Sequence, residues 1–288
     1  MIPTPFDYQV PATLEEAISL LAGDPDGAKV LAGGHSLIPA MKLRLAQPQL
    51  LVDIARIKSL AYIREEGNRI LIGATTTHYQ LESSELLKQV CPLLPACAAS
   101  IGDVQVRNKG TIGGSVAHSD PAGDWPAAVL ALDAELVLVG PNGERVVKAG
   151  DFFIDLLTTD LQPGEILREI RIEKPSGRFG QAYQKVPHPA SGFAVVGIAV
   201  HLALNDGGSC KAAHVGVTGV GVKAYRAKAV EAALAGKSLD NQTIAAAAEH
   251  VCDGVDPNGD LYASSEYRCA LAKVHTRRAI QAAKVAVK

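Results

Sequence analysis

Two short segments with paired glycines constrain this chain more than any other part of its sequence. The first, Ala32-Gly33-Gly34-His35-Ser36, follows a compact apolar run that predicts a buried strand. The second, Thr111-Ile112-Gly113-Gly114-Ser115, has the same inventory of hydroxyl groups and adjacent glycines. Adjacent glycines remove the Cβ obstruction, so successive backbone N–H groups can converge on a phosphate. One such loop is more often a simple turn, but two of them predict a chain that folds around a phosphate-bearing ligand.

The sequence lacks the common fingerprints of other phosphate-binding proteins. Neither glycine segment matches G-x-G-x-x-G or the G-K-[ST] ending of a Walker loop, which argues against a Rossmann dinucleotide site and against an ATPase. The formal net charge is −2 and no long basic run occurs, so nothing would neutralise a nucleic-acid backbone. Nucleic acid is therefore excluded as an expected partner.

Few side chains form a catalytic pattern. His35 and His118 lie near the glycine segments, and Asp120 and Asp124 lie near each other, but a positional role, a turn or a helix cap explains each of them. No nucleophile elbow, H-E-x-x-H sequence or carboxylate cage occurs, so we predict no catalytic residue and no metal site on this chain. The cysteines are odd in number and include no C-x-x-C pair, which predicts reduced thiols. They are Cys91, Cys97, Cys210, Cys252 and Cys269.

The order of predicted elements indicates an α+β fold. Thr13-Leu14-Glu15-Glu16 is a capping-box pattern and predicts a helix from near Leu14. A second helix is predicted from Trp125, with the side chain of Asp124 as its cap. After Lys174-Pro175-Ser176-Gly177, three strand patterns precede three helical ones, which predicts a separate small α+β domain.

Three motifs, taken together and in order, resemble those of a known family. They are Ala32-Gly33-Gly34-His35-Ser36-Leu37-Ile38-Pro39, Gln105-Val106-Arg107-Asn108-Lys109-Gly110-Thr111-Ile112-Gly113-Gly114-Ser115 and Asp120-Pro121-Ala122-Gly123-Asp124-Trp125-Pro126. They are similar to the medium, FAD-binding subunits of the molybdenum hydroxylases, especially that of aerobic carbon monoxide dehydrogenase. The likeness runs from Phe6-Asp7-Tyr8 through the C-terminal helices, so it covers nearly the whole chain.

This resemblance implies two domains. Residues 1–175 would form an FAD-binding domain of the vanillyl-alcohol-oxidase (PCMH) type, made of two subdomains that divide near residue 57. Residues 176–288 would form a small α+β C-terminal domain of the carbon monoxide dehydrogenase flavoprotein type. The boundary that the order of elements indicates agrees with this division.

The resemblance also implies which residues hold FAD. Both glycine segments would embrace its pyrophosphate, Asp124 would accept a hydrogen bond from a sugar or ribityl hydroxyl, and Lys185 would lie at the flavin end. Phe193 would shield one flavin face, where relatives often carry tyrosine, and Ser115 replaces the usual asparagine. FAD would be bound noncovalently, with no bond to His35. The implied set is Ala32, Gly33, Gly34, His35, Ser36, Ile101, Thr111, Ile112, Gly113, Gly114, Ser115, Asp124, Ile166, Lys185 and Phe193.

The resemblance further implies partner subunits. Substrate would be oxidised at the molybdopterin centre of a large subunit, and [2Fe-2S] clusters on a small subunit would pass electrons to this FAD and on to an external acceptor. Carbon monoxide is the favoured substrate, although an N-heterocycle or an aldehyde would leave these motifs unchanged. The resemblance implies a dimer of heterotrimers. We expect it in the cytoplasm without membrane insertion, since no secretory or long apolar segment occurs. The alternatives are a self-contained FAD-dependent oxidase or dehydrogenase and a non-catalytic nucleotide-binding regulatory protein.

Overall fold

The N-terminal part of the chain forms a small parallel sheet with helices beside it. A computed structural model describes residues 1–287, and residue 288, the predicted end of the second domain, lies outside them. The elements of this part are β1 (Asp7–Gln9), α1 (Leu14–Gly23), β2 (Ala28–Leu31), α2 (Leu37–Lys42) and β3 (Leu50–Asp53). The strand order is β1-β3-β2, and both outer strands pair with β3 in parallel.

Helix α1 begins where the capping pattern predicts. The hydroxyl of Thr13 accepts the N–H of Glu16, while the Glu16 carboxylate accepts the N–H of Ala12 at 2.7 Å instead of that of Thr13. The helix buries Leu14, Ala17 and Leu21 against the sheet, in a cluster that also includes Leu60 and Ile166. This first hydrophobic cluster includes residue 57, where the sequence predicts a division between subdomains.

The middle part is built on a five-stranded antiparallel sheet. Its elements are β4 (Ile63–Glu66), β5 (Arg69–Gly73), α3 (His78–Ser83), α4 (Glu85–Val90), α5 (Leu93–Ala99), α6 (Val104–Lys109), α7 (Ile112–His118), α8 (Asp124–Ala131), β6 (Glu135–Gly140), β7 (Gly143–Lys148), α9 (Ala149–Phe152), β8 (Phe153–Asp155), β9 (Thr158–Thr159) and β10 (Ile166–Glu173). The strand order is β4-β5-β10-β6-β7, and β8 pairs with β9 alone. Helices α3 to α8 all lie in the connection between β5 and β6, which brings them to one region of this part.

The C-terminal part is an antiparallel sheet covered by helices. Its elements are β11 (Arg178–Pro187), β12 (Ala194–Leu204), β13 (Cys210–Thr218), β14 (Tyr225–Arg226), α10 (Lys228–Leu234), α11 (Asn241–Ala248) and α12 (Ser265–Val285). The strands follow one another in the order β11-β12-β13-β14. The predicted order of strands and then helices is therefore confirmed, with the short β14 added before the first helix.

The middle and C-terminal parts share a hydrophobic core. The largest buried cluster belongs mainly to the middle part but includes Tyr183, Ala199 and Ala224. The turn at residues 120–124 is also held from the C-terminal side, since the hydroxyl of Thr218 donates to the carbonyls of Pro121 and Gly123 at 2.7 Å. The start of α8 is consequently fixed by strand β13.

Two predictions about local structure are wrong. The second paired-glycine segment is not a loop but the first turn of helix α7, because Thr111 caps a helix that begins at Ile112. Cys252 and Cys269 form a disulfide with their Cα atoms 6.2 Å apart, since a short 3-10 turn (Glu249–Cys252) packs against the start of α12. The other cysteines are buried free thiols, as predicted. Among residues 1–287, no helix has the length and apolar character that crossing a membrane requires.

Candidate functional site

A cavity of about 420 Å³ lies where all three parts of the chain meet. Strand β2 and the segment after it form one wall, helices α6 to α8 contribute a second, and the loop at residues 188–193 closes one side. Eleven of the predicted cofactor-binding residues lie on its surface: Ala32, Gly33, Gly34, His35, Ser36, Ile101, Thr111, Gly114, Ser115, Asp124 and Phe193. The fold thus brings together residues that are up to 161 positions apart in the sequence.

The first glycine loop (residues 32–36) offers unused hydrogen-bond donors to this cavity. Within residues 1–287, no protein acceptor takes the backbone N–H groups of residues 33–36. Gly34 has a φ of +73°, a left-handed conformation that favours glycine and turns the chain between β2 and α2. Four successive N–H groups at a sharp turn form a concave site that suits an anion.

Gly33 is required by the protein itself as well as by any ligand. A Cβ at this position would overlap the carbonyl oxygen of Lys109 and lie 2.7 Å from the Cα of Gly110. The first glycine loop therefore touches the segment that enters α7. This contact fixes the distance between the two glycine segments.

The second glycine loop (residues 111–115) has a different chemistry from the first. The N–H of Ile112 donates to Thr76, that of Gly113 to Ala74, and that of Gly114 to the Thr111 hydroxyl. The expectation that this segment offers free amides is therefore wrong for these three residues, because its helical turn uses them. It presents instead the bare Cα of Gly114 and the side chain of Ser115 to the cavity.

Asp124 is a buried anion held between two donors. Its carboxylate is 5% exposed and accepts hydrogen bonds from the Tyr183 hydroxyl at 2.5 Å and from the Lys185 ammonium at 2.8 Å. Burial raises the pKa of Asp124, and the charge of Lys185 and both hydrogen bonds oppose that rise. Lys185 also donates to the carbonyl of Ser100 at 2.9 Å.

Asp124 is not the helix cap that the sequence predicts. Gly123 occupies the N-cap position of α8, and Asp124 is the first residue of the helix. Its side chain turns away from the helix end because Tyr183 and Lys185 on strand β11 reach it from the C-terminal part. Lys185 does not line the cavity itself, and it acts there through Asp124.

Phe193 lies at the side of the cavity closed by residues 188–193. Its side chain is 45% exposed, and Ser191, Gly192 and Ile101 line the cavity near it. The loop is closed by hydrogen bonds from the N–H of His188 to the carbonyl of Phe193 and from the N–H of Gly192 to that of His188. A short loop held by backbone hydrogen bonds thus carries the aromatic side chain, which remains partly exposed.

Besides Lys185, three predicted residues lie away from the cavity surface. Ile112 and Gly113 are fully buried behind it, where a Cβ on Gly113 would meet the backbone of Ala74. Ile166 is 3% exposed and packs in the N-terminal hydrophobic cluster beside α1. Its position in the core does not favour the predicted role in binding FAD.

Several residues on the cavity surface were missed by sequence reasoning. His118 was considered only as a titratable group, yet it lies four residues after Gly114 on one face of α7. Val106 and Gly110 were also missed, although both fall inside the second motif. His78 carries no local signal, because only the pairing of Thr77 with Thr111 brings it to the cavity.

His35 is exposed at the edge of the cavity. Its Nδ1 lies 2.8 Å from the carbonyl oxygen of Gly33. Since a carbonyl only accepts, Nδ1 carries the proton and donates within its own loop. The ring therefore braces the turn that holds the free amides.

The free amides, the bare glycines and the apolar strand residues along β2 together suit an elongated ligand with a phosphate in the middle. Two independent matches agree with that chemistry. Residues 4–175 match the family described as the FAD binding domain in molybdopterin dehydrogenase, and residues 181–283 match the CO dehydrogenase flavoprotein C-terminal domain. The chain belongs to the FAD-binding medium subunits of the molybdenum hydroxylases. The resemblance inferred from the motifs is confirmed.

Individual members of this family are similar over their whole length. The chain is 40% identical over 283 residues to the carbon monoxide dehydrogenase medium chain of Hydrogenophaga pseudoflava, covering 98% of both chains. It is 36% identical to the 6-hydroxypseudooxynicotine dehydrogenase complex subunit alpha of Paenarthrobacter nicotinovorans, covering 97% of this chain and 95% of that one. A solved structure of Hydrogenophaga pseudoflava carbon monoxide dehydrogenase lacking the Mo-pyranopterin moiety superposes with a TM-score of 0.97 at 42% identity, covering 100% of both chains.

Membership in the medium-subunit family settles the class of cofactor and activity. FAD is the cofactor, and the chain is the FAD-containing component of an oxidoreductase. The α+β fold with an FAD-binding domain and a flavoprotein C-terminal domain is confirmed as well.

Proposed function

We propose that this medium subunit relays electrons within a larger molybdenum hydroxylase. The observation that carries the proposal is the cavity itself, which offers four free backbone amides to an anion and is lined by eleven of the residues that the resemblance assigns to FAD. When bound, FAD supplies the redox chemistry, receiving electrons from [2Fe-2S] clusters of a small subunit and releasing them to an external acceptor. The protein supplies binding and orientation.

We propose specific roles for the residues on the cavity surface. The amides of the first glycine loop bind the diphosphate of FAD, and Gly114 lets it approach the helix backbone closely. Asp124 accepts a hydrogen bond from a sugar or ribityl hydroxyl with its remaining lone pairs. Phe193 covers part of the flavin, and Lys185 positions Asp124. The flavin is bound noncovalently, and the Nδ1 of His35 hydrogen-bonds within its own loop.

We propose that the partners are a small iron–sulfur subunit and a large molybdopterin subunit, assembled as a cytoplasmic dimer of heterotrimers. The names of the similar proteins support a multi-subunit enzyme, because one is a medium chain and another is a subunit of a dehydrogenase complex. We also propose the division into residues 1–175, with subdomains that meet near residue 57, and residues 176–288. The two matched ranges support this division.

Carbon monoxide is the substrate that we propose for the complex. The support is the 40% identity to a carbon monoxide dehydrogenase medium chain, against 36% to a subunit named for a pyridine substrate. Substrate would be oxidised on the large subunit, so the cavity described above does not select it.

The test is to compare the assembled complex with this chain alone. The complex, purified through a tag on this chain, is mixed anaerobically with carbon monoxide while the flavin absorbance is recorded. We expect bleaching of the flavin in the complex and none in the isolated FAD-loaded chain. If the isolated chain is itself reduced by an organic substrate, it is a self-contained flavoprotein and the relay proposal is wrong.

A further inference from the structure

The second glycine loop leaves a deficit of donors on its side of the cavity. Its amides at Ile112, Gly113 and Gly114 are all taken by protein acceptors, whereas the first glycine loop has four free amides. A diphosphate between the two loops would therefore have donors on one side only, unless a side chain supplies them. Among the buried polar side chains on the cavity surface, the imidazole of His78 lies beside this segment and can supply a nitrogen donor.

His78 is held against the second glycine loop by the backbone. Thr77 pairs with Thr111 as an isolated antiparallel bridge, and the N–H of His78 donates to the carbonyl of Gly110 at 2.9 Å. The imidazole Nε2 lies so close to Gly110 that a Cβ there would be only 2.6 Å from it. Gly110 therefore has to be glycine for the ring to occupy this place.

The tautomer of His78 is fixed by a neighbour that can only donate. The indole Nε1–H of Trp125 donates to Nδ1 of His78 at 3.0 Å, and both residues are buried. Because an indole has no acceptor, Nδ1 must be unprotonated, and a neutral ring then carries its proton on Nε2. Burial lowers the pKa of His78 to about 4, and the nearby His35 and Arg107 add to that effect. The ring is thus neutral near pH 7.

The Nε2–H group faces the cavity without a protein partner. Within residues 1–287, the only hydrogen bond of the imidazole is the one to Trp125, although the residue is 4% exposed and lines the cavity. Because Nε2 is not sealed in the core and has no protein acceptor, it can donate to an acceptor on a ligand in the cavity. The position between His35 of the first glycine loop and Gly110 at the start of the second is where an anion would lie.

We propose that His78 is a further cofactor-binding residue, which donates its Nε2–H to the diphosphate of FAD and completes the donor set that the second glycine loop lacks. This inference rests on the proposed placement of the diphosphate between the two loops. Trp125 is a positioning residue, because it acts only by fixing the tautomer and orientation of the ring.

The test measures the affinity of the full-length chain, freed of flavin, for FAD and for ADP by titration calorimetry. His78→Leu should raise the dissociation constants of both ligands by about tenfold to about a hundredfold, as expected for the loss of one hydrogen bond to a charged acceptor. His78→Gln keeps an acceptor for Trp125 and a donor for the cavity, so it should bind within about threefold of the unaltered protein, a loss well below that of a whole hydrogen bond.

A second variant separates binding from folding. His78→Leu leaves the Trp125 indole without an acceptor, so the double variant His78→Leu/Trp125→Phe is measured alongside it, with circular dichroism to verify the fold. The double variant should bind FAD as weakly as His78→Leu. Unchanged affinity in either Leu variant would overturn the inference, and so would a loss in His78→Gln as large as that in His78→Leu. If the unaltered chain binds neither FAD nor ADP, the proposed function itself fails.

Discussion

Some residues around the cavity are constrained both by the packing of the protein and by the binding of the ligand. Gly33 illustrates this double role, since the space of its missing Cβ is filled by the backbone of Lys109 and Gly110. Its neighbours in the first glycine loop keep their amides free, whereas the similar sequence at residues 111–115 does not. The residue types therefore indicate a site, but the hydrogen bonds decide which amides can serve it.

The first prediction concerns this contact between the glycine loops. Gly33→Ala should abolish stoichiometric FAD retention, because the added methyl group forces the first glycine loop away from Lys109 and Gly110. The flavin-to-protein ratio after desalting is the measurement. Gly150→Ala is the matched control, since no atom lies within 4 Å of a Cβ at that position and its flavin content should be unchanged. Full flavin content in Gly33→Ala would contradict the close packing of the two loops.

The second prediction concerns the buried pair of Lys185 and Asp124. Both side chains are about 5% exposed, so Lys185→Met leaves a buried carboxylate without its cation. Removing one partner of a buried pair typically costs about 3 to 5 kcal/mol. The loss of Lys185 also raises the pKa of Asp124 further, since that cation opposes the effect of burial.

The raised pKa of Asp124 determines how the stability of Lys185→Met changes with pH. A carboxyl whose pKa is higher in the folded state than in the unfolded state stabilises the fold at low pH. This stabilisation is lost as the pH rises from the pKa of the unfolded state through that of the folded state. Denaturant titrations should therefore show a larger loss of stability in Lys185→Met at about pH 8 than at about pH 5. The double variant Asp124→Asn/Lys185→Met should be less pH-dependent. Equal losses at both pH values would mean that Asp124 is not the responsible group.

At the scale of elements, glycines also set how closely a helix approaches a sheet. A Cβ on Gly216 of β13 would overlap the carbonyl of Ala127 in α8, and one on Gly180 of β11 would overlap that of Ala283 in α12. The two contacts are alike in geometry but differ in consequence. Helix α8 begins with Asp124 at the cavity, while α12 lies on the sheet away from it.

The third prediction uses this pair of glycines. Gly216→Ala and Gly180→Ala should each lower stability by about 1 to 3 kcal/mol, the usual cost of overpacking. Only Gly216→Ala should also weaken FAD binding, because it displaces the helix that carries Asp124. Thermal unfolding and FAD titration of both variants give the comparison. Equal weakening of FAD binding by the two substitutions would show that α8 has no special role.

The elements that were predictable are those specified by local sequence. The cap at Thr13 and the strands of the C-terminal sheet follow from patterns a few residues long. The helical start of α7 was not predicted, since paired glycines favour a loop; the cap by Thr111 and the contacts with Thr76 and Ala74 stabilise the turn. The disulfide of Cys252 and Cys269 was missed for a similar reason, because their spacing of 17 residues matches no motif.

For the whole molecule, the site could be predicted only in part. The order of motifs indicated the family, and eleven predicted residues meet at the cavity. Asp124 was assigned to a helix cap because its partners, Tyr183 and Lys185, lie on a strand of another part of the chain. His78 was absent from the prediction because a backbone bridge to Thr111 brings it to the site. Contacts between residues far apart in the sequence cannot be predicted from patterns a few residues long.

We expect this chain to carry one noncovalent FAD within a molybdenum hydroxylase. Mass spectrometry of the native complex, purified through a tag on this chain, tests this directly. Spectra are recorded before and after acid precipitation, which releases cofactors that are not covalently bound. We expect intact FAD at one per chain, together with iron, a molybdopterin and two further subunits. Recovery of this chain alone with flavin, or of a complex without FAD, would contradict the account.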